Sequence, residues 1–357
     1  MHKNRPACEV AVISNQIIGI KNILDKNEMP VGIYKENGMQ AGMLFLSWIK
    51  ARTVPMRRAG IEELIKKLGF PVGEGFFKSR GVSLTDTYWL KEPGEDLTWE
   101  DVNFHDNGFD TTFGAIYTGT EIAGYKSPDF TTDGVMEKFW AGGVAPCLVK
   151  LGNKKNRVVC ANEVVASYIA AELGVNHVPY EQSMIGEVPA CVCPCFVEDS
   201  DTDFVTANQL SKVSYSSQAK LIENLKGWGL SKELSDMIFL DTLLGNQDRH
   251  DRNFGVLIRH GQVSFAPLFD SGACLCYSGI PCKELKIPGT LRTEVPTEYL
   301  VDKDVDEKLL HSIVEEVYGR FEIGEEQFRR AVAELDAGIA IIRNARNKMI
   351  SAEIEKD

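Results

Sequence analysis

Residues 238–272 constrain this chain more than any other stretch, because a strongly polar loop stands between apolar runs. An apolar helical pattern that includes Leu240 and Leu244 stops at Gly245, and the polar loop begins there. Four residues of this loop have side chains that can take part in catalysis or metal binding, and almost no apolar residue lies between them: Asp248, His250, Asp251 and Asn253. Such a loop cannot be core, so we expect it to line a surface or a cleft.

Two β-rich runs follow, at residues 254–258 and 263–266, and a short turn joins them as a hairpin. If Ile258 pairs with Val263, Asn253 and Asp270 meet at the open end of the hairpin, about one strand spacing apart. Their oxygens are hard ligands, and Asp248 adds a second carboxylate on the same loop. This layout is the one that magnesium chemistry on phosphates requires, with Asp248 orienting or deprotonating the attacking hydroxyl. The alternative is a polar turn whose Asp and Asn residues cap their own backbone.

The run Asn-Gln-Asp-Arg-His-Asp-Arg-Asn-Phe at 246–254, followed by Ala-Pro-Leu-Phe-Asp at 266–270, resembles the HipA-like serine/threonine kinases of bacteria. The resemblance implies a two-lobed kinase fold with ATP and Mg²⁺ as cofactors. It implies transfer of the γ-phosphate to a serine or threonine hydroxyl of a protein substrate, with Asp248 as the catalytic residue. His250 is expected to brace the loop, and Asn253 and Asp270 are expected to bind the metal. An antitoxin-like protein partner is a further expectation.

A second group of candidate residues lies upstream, at 129–198. Period-two alternation in a strand at 146–151 directs Lys150 inward beneath a glycine turn at Gly134, where its charge can neutralise phosphate oxygens. Asn162 is predicted to cap a helix over 163–173, which places Glu163 in the first turn as an ion-pair partner of Lys150. The alternative is an ordinary surface lysine and a helix-start glutamate.

The resemblance extends to this segment. Thr131-x-x-Gly134-x-x-x-Lys138 is similar to the family's Ser-x-x-Gly-x-x-x-Lys phosphate loop, with threonine in place of the autophosphorylated serine. We therefore expect Thr131 to become phosphorylated and the modification to inhibit; the alternative is that Thr131 only hydrogen-bonds its own turn. Lys150 matches the family's ATP-contacting lysine, and Cys195 and Phe196 fall where the interlobe hinge meets adenine.

The expected fold is α+β and bilobal, like a protein kinase. A strand-rich nucleotide-binding lobe is assigned to 119–198, a mainly helical catalytic lobe to 199–357, and an N-terminal accessory region to 1–118. Tryptophan and phenylalanine residues at 86–104 are predicted to pack that region onto its neighbour; the alternative is a partner surface. Residues 278–288 are predicted to form a loop, either facing the substrate or making an ordinary surface connection. Helices are predicted at 41–52, 60–68, 218–228, 232–244, 306–317 and 325–350, and strand-like pieces at 9–20.

Composition excludes several classes of function. The net charge of −12 disfavours direct binding to nucleic acid or to an anionic membrane. Without an apolar run of about 18 residues or a signal-like start, we expect a cytoplasmic protein. Nine cysteines in such a protein are expected to be free thiols. Cys191, Cys193 and Cys195 alternate along one strand face and are predicted to be buried rather than zinc ligands, and Cys274 and Cys276 repeat that alternation.

Three rival functions follow from the same residues. The fold could serve a small-molecule or lipid kinase, or a non-catalytic nucleotide-binding or interaction module. A metallohydrolase site would use Asp248, His250 and Asp270, but six scattered histidines do not supply the ligands that it needs.

Overall fold

The computed structural model describes residues 1–33, 38–143, 145–153, 156–214, 218–301 and 303–354. Among the helices of these residues, none has the length and apolar character that a membrane span needs. The chain is a mixed α+β protein, as predicted.

The N-terminal part opens with an antiparallel hairpin of β1 (Cys8–Ile13) and β2 (Gln16–Ile23). Buried aromatic residues dominate its later segments: Trp89, Trp99 and Phe104 form one apolar cluster with Trp140. The predicted core role of these side chains is confirmed. The helices of this part are α1 (Gly38–Ala51), α2 (Ile61–Leu68), α3 (Val72–Lys78), α4 (Trp99–Val102), α5 (Phe104–Asn107) and α6 (Thr112–Thr118).

A four-stranded antiparallel sheet follows, in the order β3-β4-β6-β5. Its strands are β3 (Lys138–Ala141), β4 (Cys147–Leu151), β5 (Glu181–Ile185) and β6 (Val188–Pro194). Lys150 pairs with Lys138 on one side and with Cys191 on the other. Register partners share a face of the sheet, so both lysines point the same way.

The helix that packs on this sheet is α7 (Arg157–Glu172), and it corrects one prediction. Asn162 does not cap it, because the helix begins five residues earlier with Asn156 at the N-cap position. Cys160 and Ala161 are fully buried and extend the helix by packing. The Asn162 side chain donates instead to the Gly272 and Cys274 carbonyls, so Glu163 lies inside the helix and not in its first turn.

The C-terminal part contains a three-stranded sheet in the order β7-β8-β9, formed by β7 (Thr202–Thr206), β8 (Gly255–Arg259) and β9 (Gln262–Phe265). Ile258 pairs with Val263, which confirms the predicted hairpin register. The predicted loop at 278–288 holds β10 (Glu284–Leu285), which pairs with β11 (Thr290–Leu291). The helices are α8 (Ala207–Ser214), α9 (Gln218–Gly227), α10 (Ser231–Leu244), α11 (Glu307–Arg320) and α12 (Glu325–Ile354).

The apolar core joins the N-terminal part to the sheet that follows it. Leu64 and Phe113 pack in one cluster with Phe139 and Val149, which lie on β3 and β4. The cluster thus crosses the boundary proposed at residues 118 and 119, and the division of the chain into three units stays a prediction.

All nine cysteines lie among the described residues and are free thiols, as expected. Cys191, Cys193 and Cys195 are buried. Cys274 and Cys276 are also buried, but neither lies in a strand, and Cys276 has a positive φ of 55°.

Candidate active site

The catalytic loop, residues 246–253, begins where α10 ends. Gly245 closes that helix with a φ of 61°, which glycine adopts without strain. Asp248 is half-exposed and lines a cavity of about 870 Å³. Asn253 is buried, and its side-chain nitrogen donates to the Asp248 carbonyl oxygen at 2.9 Å. Because the nitrogen makes this bond, the amide oxygen is the atom of Asn253 that can bind a cation.

Asp270 follows the β8–β9 hairpin and joins two other predicted residues. Its carboxylate accepts a hydrogen bond from Lys150 Nζ at 2.7 Å, and Lys150 also donates to Glu163 Oε1 at 2.5 Å. The second oxygen of Glu163 accepts from the Ser271 backbone N–H at 2.8 Å. Asp270 has a φ of 58°, a conformation that is uncommon for residues other than glycine and often found at functional sites. Three separate segments therefore meet at the Lys150 ammonium.

Burial and charge act in opposite directions at this site. Burial alone would lower the pKa of Lys150, but the neighbouring Asp270 and Glu163 carboxylates raise it well above its usual value. Partial burial would raise the pKa of Asp270, yet the attraction of Lys150 and then of Lys138 holds that pKa below its usual range. Lys150 is therefore a fixed cation, and Asp270 a fixed anion, at neutral pH.

The glycine turn, residues 131–136, covers Lys138. Gly134 has a φ of 103°, and a Cβ atom at this position would collide with the Lys138 ammonium. Burial lowers the pKa of Lys138 to about 8, and repulsion by Arg58 and Lys150 adds to the effect. Lys138 also lines the cavity. A second amine thus stands beside Lys150, and an anion would be the natural ligand of both.

The aromatic end of the cavity contains one of the two predicted hinge residues. Phe196 lines the cavity and stacks on Phe269, with ring centroids 5.1 Å apart. Cys195 is not among the lining residues: it is buried, and its backbone N–H donates to the Pro146 carbonyl at 2.8 Å. A planar base would therefore meet Phe196 rather than the Cys195 N–H.

Arg249 ties the catalytic loop to the Asp270 segment, and sequence reasoning missed it. The side chain is buried and forms an ion pair with Asp241 at 3.0 Å. It also donates to the Asn253 and Phe269 carbonyls at 3.0 and 2.6 Å. One arginine thus fixes the residues on both sides of the candidate metal position. The only signal in the sequence was a charged residue within the loop and an aspartate in the preceding helix.

Lys286 is a second residue that sequence reasoning missed. Its ammonium forms an ion pair with the Asp248 carboxylate. The neighbouring Leu285 and Ile287 are buried, so the short 284–287 segment is anchored on both sides of the lysine. The predicted loop at 278–288 therefore reaches Asp248, the candidate catalytic residue.

His250 has a supporting position in the loop. Its Nδ1 accepts a hydrogen bond from the Arg252 backbone N–H at 3.2 Å, while Nε2 lies 4.0 Å from the Asp248 carboxylate. This geometry favours the predicted role of His250 in bracing the loop. Among the described residues, a group of three potential metal ligands occurs on α11 and α12 rather than here: Glu307, His311 and Asp336.

Thr131 is buried, and its hydroxyl donates to the Val82 and Pro128 carbonyls at 2.9 and 3.0 Å. This geometry favours the local hydrogen-bonding role. Phosphorylation of Thr131 stays a prediction, and it requires the turn to leave this position.

Asn253 and Asp270 supply oxygen donors that Mg²⁺ prefers. One Asp270 oxygen accepts from Lys150, and the side chain is still 42% exposed. Arg249 holds the backbone at Asn253 and next to Asp270. The residues present therefore fit a magnesium ion shared with phosphate oxygens.

Comparisons with known proteins give the family and the fold of the chain. A family model described as the HipA-like C-terminal domain matches residues 130–335. None of the curated proteins matches the chain. Among solved structures, HipA of the Shewanella oneidensis MR-1 toxin–antitoxin system, in complex with HipB and operator DNA, is 13% identical, with a TM-score of 0.53. That match covers 97% of this chain and 99% of HipA.

The Helicobacter pylori proinflammatory kinase CtkA is 18% identical, with a TM-score of 0.49, and the match covers 61% of this chain and 96% of CtkA. The likeness to HipA shows a protein-kinase-like fold. Because the family model spans more than half of the sequence, the chain belongs to the HipA-like C-terminal domain family.

Proposed function

We propose that this protein is an ATP- and magnesium-dependent kinase that transfers the γ-phosphate to a serine or threonine hydroxyl of a protein. Family membership supports a kinase-like function. The observation that carries the proposal is the Lys150 ammonium, bonded to both Glu163 and Asp270 in the cavity that Asp248 also lines. Phosphoryl transfer needs this combination of fixed cations and a separate carboxylate.

The nucleotide phosphates would lie against Lys150 and Lys138. Both lysines are on one face of the sheet, and the turn at Gly134 brings backbone close to the second of them. Phe196 would pack against the adenine at the other end of the cavity. The chain thus provides cations at one end and an aromatic face at the other.

Asn253 and Asp270 would hold the magnesium ion, which when bound neutralises charge on the phosphate oxygens. Asp248 would orient the acceptor hydroxyl and receive its proton as the hydroxyl oxygen bonds the γ-phosphorus. The bond from the γ-phosphorus to the bridging oxygen breaks in the same step, and ADP leaves with that oxygen. The Asp248 carboxylate is ion-paired with Lys286, and the acceptor hydroxyl would contact the same carboxylate. His250 would support this loop from within.

We propose an antitoxin-like protein partner and a cytoplasmic location as further parts of this function. HipA of Shewanella oneidensis was solved with HipB and operator DNA. Here a net charge of −12 opposes direct contact with nucleic acid, so any DNA contact would come from the partner.

Labelled ATP tests the proposed function. The purified protein is incubated with γ-labelled ATP and a cell lysate, with Asp248→Asn as the control, and the labelled products are separated. Label on serine or threonine of a protein, absent in the control, supports the proposal. Label in a small molecule or lipid would make the acceptor class wrong. ATP binding with no labelled product would indicate a non-catalytic nucleotide-binding module.

A further inference from the structure

The N-terminal part of the chain contributes one buried arginine to the glycine turn. Arg58 is 2% exposed and lies just before α2. Its Nε donates to the Gly134 carbonyl at 3.0 Å, and its Nη2 donates to the Thr132 carbonyl and, at 3.1 Å, to the Asp133 carbonyl. One guanidinium therefore binds three consecutive carbonyl groups of the turn that covers Lys138.

Other contacts fix the same turn from nearby. The Ala59 backbone N–H donates to the Val135 carbonyl at 2.8 Å, next to the Arg58 contacts. From the catalytic loop, Arg252 forms an ion pair with the Asp133 carboxylate at 3.1 Å. The turn is thus held between the N-terminal part and the catalytic loop, and Arg58 makes the largest share of these bonds.

The contacts of Arg58 are poorly suited to a purely stabilising role. Its donors go to carbonyl oxygens rather than to a carboxylate, and its Nη1 is buried without a hydrogen-bond partner in the part of the chain that the structure describes. A buried cation of this kind loses its hydration and leaves one donor unused, a cost that its hydrogen bonds to the three carbonyls must offset. What an apolar residue cannot do is hold three carbonyl groups in a fixed arrangement.

We propose that Arg58 is a positioning residue of the nucleotide site, through which the N-terminal part of the chain sets the conformation of the glycine turn. The role in nucleotide binding rests on the proposed kinase function, whereas the effect on the turn does not. With its carbonyls bonded to Arg58, the turn would stay in place over Lys138, where phosphate oxygens would bind. The region at residues 1–118 then belongs to the active site rather than being an appended module.

Hydrogen exchange measured by mass spectrometry on the nucleotide-free protein tests the effect on the turn. Arg58→Met should speed exchange in peptides covering 131–137 by about tenfold or more. In this variant, local opening of the turn no longer has to break the charge-assisted hydrogen bonds from the guanidinium. Peptides from the β8–β9 hairpin should keep their wild-type exchange. Lys66→Met is the control, since it removes an exposed cation from the neighbouring helix α2, outside the cavity lining.

Nucleotide binding gives the second readout. In Arg58→Met the Kd for magnesium–ATP should rise about tenfold, while single-turnover transfer at saturating ATP changes less than about threefold, because the reacting groups are untouched. Arg58→Lys keeps the charge and should give intermediate values in both measurements. It also replaces the methionine variant if that variant does not fold.

Three results would overturn the proposal. They are unchanged exchange in the turn when Arg58 is replaced, an equal change in Lys66→Met, or a uniform rise in exchange over the whole chain, which would mark Arg58 as merely structural. If the wild-type protein binds no ATP, the proposed kinase function fails, and the exchange data still decide the role of Arg58.

Discussion

Lys150 and Asp270, in the candidate catalytic centre, line the same cavity as the glycine turn, but different contacts hold the centre and the turn. In the centre, Lys150, Glu163 and Asp270 pair through their side chains. In the turn, backbone carbonyls accept from Arg58. Removing one partner from a buried ion pair costs about 3–5 kcal/mol, whereas losing one hydrogen bond costs about 1–3 kcal/mol. The difference indicates a centre that charge pairing makes rigid and a turn whose conformation depends on one side chain, and the following variants test it.

The largest effect is expected for Arg249→Met. The Asp241 carboxylate would stay buried without its partner, so the free energy of unfolding should fall by about 3–5 kcal/mol and activity should be lost. Urea denaturation measures the first effect. Arg252→Met is the control in the same loop: its ion pair with Asp133 is partly exposed, so the change should stay within about 1 kcal/mol. Equal stability of the two variants would contradict a rigid centre.

Asp270→Asn should weaken magnesium–ATP binding by about tenfold or more, because a full charge leaves the cation's position. Asparagine tolerates the positive φ found here, so the backbone should be preserved. Calorimetry with and without magnesium checks this: binding of metal-free ATP should not weaken. Asp251→Asn, on the catalytic loop but outside the cavity lining, serves as the control. Equal magnesium–ATP affinity in the Asp270 variant and wild type would remove this residue from the metal site.

Lys286→Met should slow phosphoryl transfer by up to about fivefold, the worth of a half-exposed ion pair, while ATP affinity stays close to wild type. Lys286→Arg should recover part of the rate. Single-turnover kinetics at saturating ATP measure both, and Lys283→Met on the same exposed segment is the control. A lower ATP affinity with no change in rate would place Lys286 at the nucleotide rather than at Asp248.

The smallest effect is expected from Lys138, whose pKa is lowered to about 8 by burial. The lysine is charged below this pH and neutral above it, so magnesium–ATP affinity should fall severalfold as pH rises through the pKa. Lys138→Met should bind more weakly at neutral pH and lose this dependence. Calorimetry at about pH 7 and about pH 9 measures the magnesium–ATP affinity of wild type and variant. An equal loss of affinity with pH in the variant would assign the titration to another group.

Sequence patterns predicted those elements that depend on residues close together in the sequence. The Ile258–Val263 register followed from alternation and turn residues, and it brought Asp270 to the catalytic loop. The Lys150–Glu163 pair was also correct, although burial of Cys160 and Ala161 starts the helix earlier than predicted.

Arg58, Arg249 and Lys286 were missed for a different reason. Arg58 and Lys286 contact residues 76 and 38 positions away, and most of the arginine donors go to backbone carbonyls. Any residue type supplies a carbonyl, so such contacts leave no pattern in side-chain identity. Cys195 was placed by resemblance alone, and its N–H proved to bond Pro146.

The central claim is that Asp248 acts on the acceptor hydroxyl in the transition state and not on bound nucleotide. Asp248→Asn tests it most directly, with single-turnover transfer from labelled ATP and calorimetric ATP binding measured on the same preparation. We expect the transfer rate to fall by about 10²–10⁴, the usual contribution of a general base, and the affinity for magnesium–ATP to change less than about threefold. An unchanged transfer rate in this variant would contradict the assignment of the catalytic loop.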